Sequence, residues 1–394
     1  MPNQFPPTLA PNSPRPYPPD KPPSSNSRSG LVAAVAIIAT LLVIGGTAFL
    51  GFTQLASPDD VDRYQRDQPD DRSGPSDDSG GDRDDRSGNG GSSSGQAAFR
   101  PDSIAVGADA VWVTDSACGV VAKIDPDSEE VIGVISAGGS TSGVTVTGGS
   151  VWVGNRSDSA VTRVNPETLV SETRIPIPGF ALGLGSDSDH VWAVDSGQGV
   201  VHQIDPQTNT IVASTPVGEN PHHVALGGGA TWVTSPAAGT VTRIDDDDAS
   251  AVDLSIGQAP LHAEVAVESV WVTDSESAAV LRLDLDSGDV TETIRVGLFP
   301  HALIFINDTV WVGSEAGELW RIDPETNDAS LVEGAVFNSV EMDVNGDDIW
   351  VADSRASEVV VVDSVAAEVT SRIDMTELGN CDAFRDQATT PEAV

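Results

Sequence analysis

Four of the six histidines crowd into one stretch of the chain: His222, His223, His262 and His301. Each stands at the start of a short apolar run, as in His223-Val224-Ala225-Leu226. Aligned on a recurrent Trp, the position nine residues before it reads Ser103, Gly143, Gly183, His223, His262, Ala302 and Glu341. Two residues further on, the row reads Ala105, Thr145, Gly185, Ala225, Glu264, Ile304 and Asp343. Small residues dominate both rows, and His223, His262, Glu264, Glu341 and Asp343 break the pattern. Alternate residues of a strand share a face, so these five side chains can converge if the runs lie side by side. Imidazole beside carboxylate suits a divalent cation or general acid–base work. The same groups would also make a hydrated polar funnel, and the spacing alone leaves both readings open.

Seven Trp residues define the elements that would hold these groups. Trp112, Trp152, Trp192, Trp232, Trp271, Trp311 and Trp350 are separated by 40, 40, 40, 39, 40 and 39 residues. A fixed period near 40 marks one supersecondary unit repeated many times. Residues 221–260 show its parts. Val224-Ala225-Leu226 ends in three Gly, and Thr231-Trp232-Val233-Thr234 follows. Thr240–Ile244 ends in Asp245–Asp248, and Ala251–Ile256 ends at Gly257. Four β-branched runs bounded by turn residues, with no helical period, predict four antiparallel strands, the blade of a β-propeller. The expected fold is all-β, a seven-bladed propeller over residues 99–380. Each periodic Trp is expected to bury roughly 150–250 Å², worth at most about 4–6 kcal/mol per blade. Trp320 lies outside the period and is expected on the outer surface.

The last blade finds all its strands in 341–344, 349–352, 358–362 and 368–374, and the first strand of the first blade in 103–106. Neither end then lends a strand to the other, so closure needs another device. Cys118, after the second run of the first blade, and Cys381, after the last run, are the only cysteines. Neighbouring first and last blades would bring them together as a disulfide, which calls for an oxidising compartment. Its loop would exceed 260 residues, worth about 4–5 kcal/mol in the chain-entropy picture.

Residues 1–30 are rich in Pro, Ser and Asn and cannot bury a core. Residues 31–52 are 22 positions without a charge, long enough to cross a bilayer. Residues 53–98 are a linker of Asp, Ser, Gly and Arg, and 381–394 a short tail. The expectation is a cell-membrane protein with one uncleaved membrane helix, a cytoplasmic tail and an extracytoplasmic propeller. Lys and Arg counts on the two sides of the span are nearly tied, so orientation rests on the proposed disulfide and on the large C-terminal domain.

The chain carries 60 acidic and 20 basic residues. The first 97 residues hold 12 and 8 of these, leaving 48 acidic and 12 basic in the remainder. Such a surface repels nucleic acid and anionic headgroups. Asp245–Asp248 could hold cations loosely but falls at the turn between the third and fourth strands, and Asp284-x-Asp286-Ser-Gly288-Asp289 bears a faint likeness to a calcium loop but occupies the same turn as Asp125-Pro-Asp127 and Asp205-Pro206, so turn chemistry is the better account. Three residues after each Trp stand Asp115, Asn155, Asp195, Ser235, Asp274, Ser314 and Asp353, suited to bonding the backbone of the next turn. Lys123, Arg163, Arg243, Arg282 and Arg321 are each followed two residues later by Asp or Asn, which suggests surface ion pairs. No phosphate-binding loop, dinucleotide fingerprint, nucleophile elbow or Cys-based zinc motif is present.

Units such as VWVTDSACGVVAKIDPDSEEVIGVISAGG and TWVTSPAAGTVTRIDDDD resemble the bacterial YVTN-type propellers and the virginiamycin B lyase-like (streptogramin lyase) propellers. The resemblance covers residues 100–380 and implies seven blades. In the lyases one His contacts substrate and a His in the next blade acts as base, beside a Mg²⁺ held by Glu residues. By register His223 resembles the first and His262 the second, which makes His262 the candidate catalytic residue. Pro260 stands where a metal-binding Glu is expected two residues earlier, and Asp274 or Glu276 would stand for the later one. The tail, span and linker look more like envelope sensors of actinobacteria. The function expected is an envelope binding module for a wall polymer or envelope protein. The alternative is a C–O lyase dependent on Mg²⁺ or another divalent cation.

Overall fold

The computed structural model describes residues 99–378. The proline-rich tail, the apolar span, the linker, Cys381 and the residues after it lie outside the described residues. Among the described residues no helix is long and apolar enough to cross a membrane.

Twenty-eight strands form seven four-stranded antiparallel sheets, each pairing its strands in sequence order. Blade five is typical: Pro260–Ala266, Ser269–Asp274, Ala279–Asp284 and Val290–Arg295. The first strands lie side by side around the axis, and that of blade seven, Ser339–Asn345, meets that of blade one, Pro101–Gly107. Both terminal blades keep all four of their own strands, as the sequence predicts.

Alternation along the second strand explains the ring. In Val-Trp-Val the indole faces one neighbouring blade and the two flanking side chains face the other. Trp112 shares an apolar cluster with Val151 and Val153 of the next blade. Trp152 does so with Val191 and Ala193, Trp232 with Val270 and Val272, and Trp271 with Val310 and Val312. Trp311 packs with Ile349 and Val351, and Trp350 closes the circle on Val111 and Val113. Between blades three and four Thr231 replaces one of the flanking residues, and there Trp192 keeps 8 % exposure while the other six indoles keep 1 % or less. Trp320 is partly buried on the third strand of blade six, its indole N–H donating to Glu318 at 3.0 Å.

The recurrent cations make the expected ion pairs at Arg163 and Arg243, and all five also do something else. Lys123, Arg163, Arg243, Arg282 and Arg321 each lie over the Trp ring of their own blade, 4.7 to 5.8 Å from its centre. Three also reach into the next blade, donating to the carbonyls of Pro166, Pro206 and Pro324 at 2.6 to 2.9 Å. Arg163 pairs across the strands with Glu172 at 3.3 Å, and Arg243 with the acid two residues on, Asp245, at 3.2 Å. A cation over an indole face with its donors on a fixed carbonyl is favoured over an exposed pair because it caps buried surface as well.

The acidic turns follow the expectation. Asp125, Asn165, Asp205, Asp245, Asp284, Asp323 and Asp363 each accept the amide two residues on at 2.7 to 3.2 Å. This one turn serves every blade, so the calcium-like spelling at Asp284 is turn chemistry. Cys118, in the turn after the second strand of blade one, is buried in the junction with blade seven, in one cluster with Met375.

Removing one indole opens a cavity that the neighbouring blades cannot fill. Trp271→Ala is expected to cost about 3–5 kcal/mol in guanidinium unfolding, and Trp320→Ala less than half of that.

Candidate functional site

The site is built by an irregularity in the first strands. Their register on the second strand shifts between Pro101 and Ser103, Thr141 and Val144, Pro260 and Ala263, Pro300 and Leu303, and Ser339 and Glu341. An extra residue in a bulge bends the strand and re-aims its side chains. A Thr two residues after the Trp secures the distortion. Its hydroxyl oxygen accepts the amides of Ser103, His223 and His262, at Thr114, Thr234 and Thr273 respectively, all at 3.0 to 3.1 Å. The same hydroxyls donate to carbonyls of the following blade, Ser142 at 2.8 Å, Leu261 at 2.7 Å and His301 at 2.9 Å. In blade two Gly154 replaces the Thr, and Ser142 supplies an equivalent link to Ala181 at 2.6 Å.

The first strands surround a cavity of about 380 Å³ on the axis. His223, His262, Glu264, Glu341 and Asp343 all line it, together with His222, His301, Asp102 and Arg156. His222 and His223, adjacent in sequence, both reach it. A straight strand would send them to opposite faces; in blade four the regular strand starts only at Val224.

The contacts are close. His262 Nε2 lies 2.8 Å from Glu341 Oε1. The His223 and His262 rings stack, centres 3.6 Å apart and planes 27° apart. His222 meets His301 edge to face at 5.6 Å, and His301 Nε2 lies 3.7 Å from Glu315. Asp343 accepts the amides of Val106, across the blade seven–blade one junction, and of Val344, both at 2.7 Å. Buried Nδ1 atoms of His222, His262 and His301 have no protein partner.

Burial sets the charge state. Desolvation, with a smaller push from His222, lowers His262 to about 3. Desolvation and the neighbouring histidines lower His301 to about 3 and His223 well below its usual range. Desolvation, reinforced by Asp343 and Glu341, raises Glu264 to about 8. It also raises Asp343 to about 6, against the pull of its two amides, and raises Glu341. The cavity thus holds neutral imidazoles and reluctant carboxyls. Such groups can accept and donate hydrogen bonds, ligate a metal, or stabilise a cation.

The oxygen set that the lyase resemblance implies for Mg²⁺ does not assemble. Pro260 sits opposite Asp274 in the strand pairing and has no side-chain donor. Asp274 is buried and already accepts Gln258 N–H at 3.0 Å, Ala259 N–H at 2.8 Å and Ser277 Oγ at 2.6 Å. Glu276 is exposed. Neither Asp274 nor Glu276 lines the axial cavity. Mg²⁺ prefers an octahedral shell of oxygens, and these residues do not offer one. Asp274 instead braces the turn, like the Asp or Asn at that position in other blades.

Sequence reasoning did not place His222, His301, Glu315 or Arg156 in the site. The His residues were visible as a cluster, but a two-residue alternation cannot bring position ten before the Trp alongside position nine. Only the bulge does so.

No protein-family model matches the sequence, and no curated protein matches it. Solved structures do resemble the fold. A catalytically inactive virginiamycin B lyase from Staphylococcus aureus, crystallised with quinupristin, is 15 % identical, with a TM-score of 0.58 over 66 % of this chain and 94 % of that one. A functionally unknown protein from Desulfotomaculum acetoxidans is 13 % identical, with a TM-score of 0.59 over 68 % and 96 %. The WD40 propeller of Doa1 is 14 % identical, with a TM-score of 0.56 over 66 % and 90 %. At these identities the likeness establishes the propeller fold and leaves the activity to the site.

Glu264 is protonated in the fold up to about pH 8 but ionised near pH 4.5 when unfolded, so its contribution to stability falls as pH rises between those values. His262 and His301, lowered to about 3, contribute stability above their unfolded value that is lost as pH falls toward 3. Thermal melts in chelator are expected to lose Tm from pH 6.5 to 8.5, and Glu264→Gln to flatten that slope.

Proposed function

We propose that this is a single-pass envelope protein that presents its propeller outside the cytoplasm as a binding module. A polar group of a wall polymer or envelope protein docks in the axial cavity. The observation that carries this reading is the cavity itself. Blades four, five and seven place His223, His262 and Glu341 where blades one to three place Ser or Gly, Glu264 and Asp343 follow two residues on in blades five and seven, and the first strands bring them around one space. A repeat fold gains nothing in stability from burying such groups, so their presence points to a ligand. The 22-residue uncharged span, the polar linker and the two cysteines support the envelope placement.

A Cys118–Cys381 bridge belongs to the same proposal. Cys118 lies where the first and last blades meet, and Cys381 follows the described residues by three positions. Peptide mapping without reductant should recover the two cysteines in one linked fragment, and separate fragments would remove the bridge.

Two measurements test the function. Protease added to intact cells should remove the propeller; protection would put it in the cytoplasm. Full-length protein on beads should retain wall polymer or an envelope protein, with His223→Ala reducing retention at least tenfold and the distant His190→Ala leaving it unchanged. The lyase alternative predicts turnover of quinupristin, the ligand of the structural neighbour, that disappears in His262→Ala; the binding module predicts none.

A further inference from the structure

We propose that His223, His262 and Glu341 form a three-ligand site for a divalent transition-metal ion of the zinc class, with a fourth position facing the axial cavity. The three residues come from blades four, five and seven, and one ligand atom from each lies within 4.8 Å of the other two. Ligands at about 2.1 Å around a tetrahedral ion stand about 3.4 Å apart. To take an ion, the His262–Glu341 pair, at 2.8 Å, would open slightly and the His223 ring would rotate out of its stack on His262 so that its nitrogen turns toward the same point. His262 Nε2 and Glu341 Oε1, at 2.8 Å, hold between them the place of a proton that an ion would take.

The donor set selects the metal. Two imidazole nitrogens and one carboxylate suit zinc and its neighbours, whereas Mg²⁺ and Ca²⁺ take oxygen shells. The set differs from the oxygen ligands tested above, and it uses Glu341 from blade seven, a residue that earlier set does not include. His262 Nδ1 is buried, on a side chain 4 % exposed, with no partner among the described residues. A metal on Nε2 would leave Nδ1 as an N–H free to reach a ligand or water in the cavity. The carboxyls around the cluster, Glu264 and Asp343, face the same space with Arg156 as the one Arg or Lys lining it, so a dication relieves a local excess of acid groups. The site shares its cavity with the proposed ligand but depends on no property of that ligand, so either reading can fail alone.

The test uses untagged full-length protein in detergent, stripped with chelator and titrated with Zn²⁺ by calorimetry. One equivalent is expected to bind at micromolar affinity or tighter, in the presence of excess Mg²⁺. His223→Ala, His262→Ala and Glu341→Gln should each weaken it at least tenfold, and His190→Ala should not change it. X-ray absorption on the wild-type zinc form covers the case in which a variant fails to fold: a shell of two imidazole nitrogens with oxygen supports the site. An all-oxygen shell, or titrations that the three substitutions leave unchanged, would overturn it and assign the ion to surface carboxylates.

Discussion

The indole of each blade rests between the residues that flank the Trp of the next, and everything else in the molecule is arranged around that contact. It is directional: each second strand offers an indole to one side and its two flanking side chains to the other, small aliphatics in every blade but the fourth, where Thr231 is one of the pair. Seven such contacts in the same sense, the last from Trp350 to Val111 and Val113, turn a row of sheets into a ring. Because both faces of each second strand are buried, the strand carries no polar alternation. Five cations lie on the indole faces, and three of them, Lys123, Arg163 and Arg282, also reach the neighbouring blade.

Closing the ring at this radius crowds the axis. A Cβ on Gly143 would come 2.7 Å from the Leu182 carbonyl, and one on Gly183 would run into the carbonyl of His222. On that side only the smallest residues fit. The bulges and the Thr hydroxyls that hold them give the first strands the freedom to turn side chains inward, and on the side of blades four to seven those side chains are His, Glu and Asp. Buried ionisable groups lower stability, and the cost is borne by the repeated indole contacts. The fold thus separates its tasks: packing between second strands, chemistry between first strands.

Much of this was legible in the chain. The Trp period gave the blade count, the run lengths gave four strands per blade, and the acids after each third run gave the turn. His223, His262, Glu264, Glu341 and Asp343 stand out because they break a row of small residues, a signal that needs only the repeat register. The parts that were not legible depend on local geometry. A bulge cannot be seen in residue types, so His222 and His301 were not assigned to the cavity. Lys123 and Arg282 read as surface ion-pair partners because their targets, an indole face in their own blade and a carbonyl in the next, are far apart in sequence. Asp274 looked free for a metal because its bonds to the Gln258 and Ala259 amides arise only once the turn has formed.

The central claim is that one directional contact, repeated seven times, makes the ring a single cooperative unit. Guanidinium unfolding followed together by Trp fluorescence and far-ultraviolet circular dichroism tests it most directly. The account predicts blue-shifted native emission from buried indoles and one coincident transition in both signals. Native emission typical of indoles in water, or an early transition in which some blades melt while the others keep their signal, would contradict it.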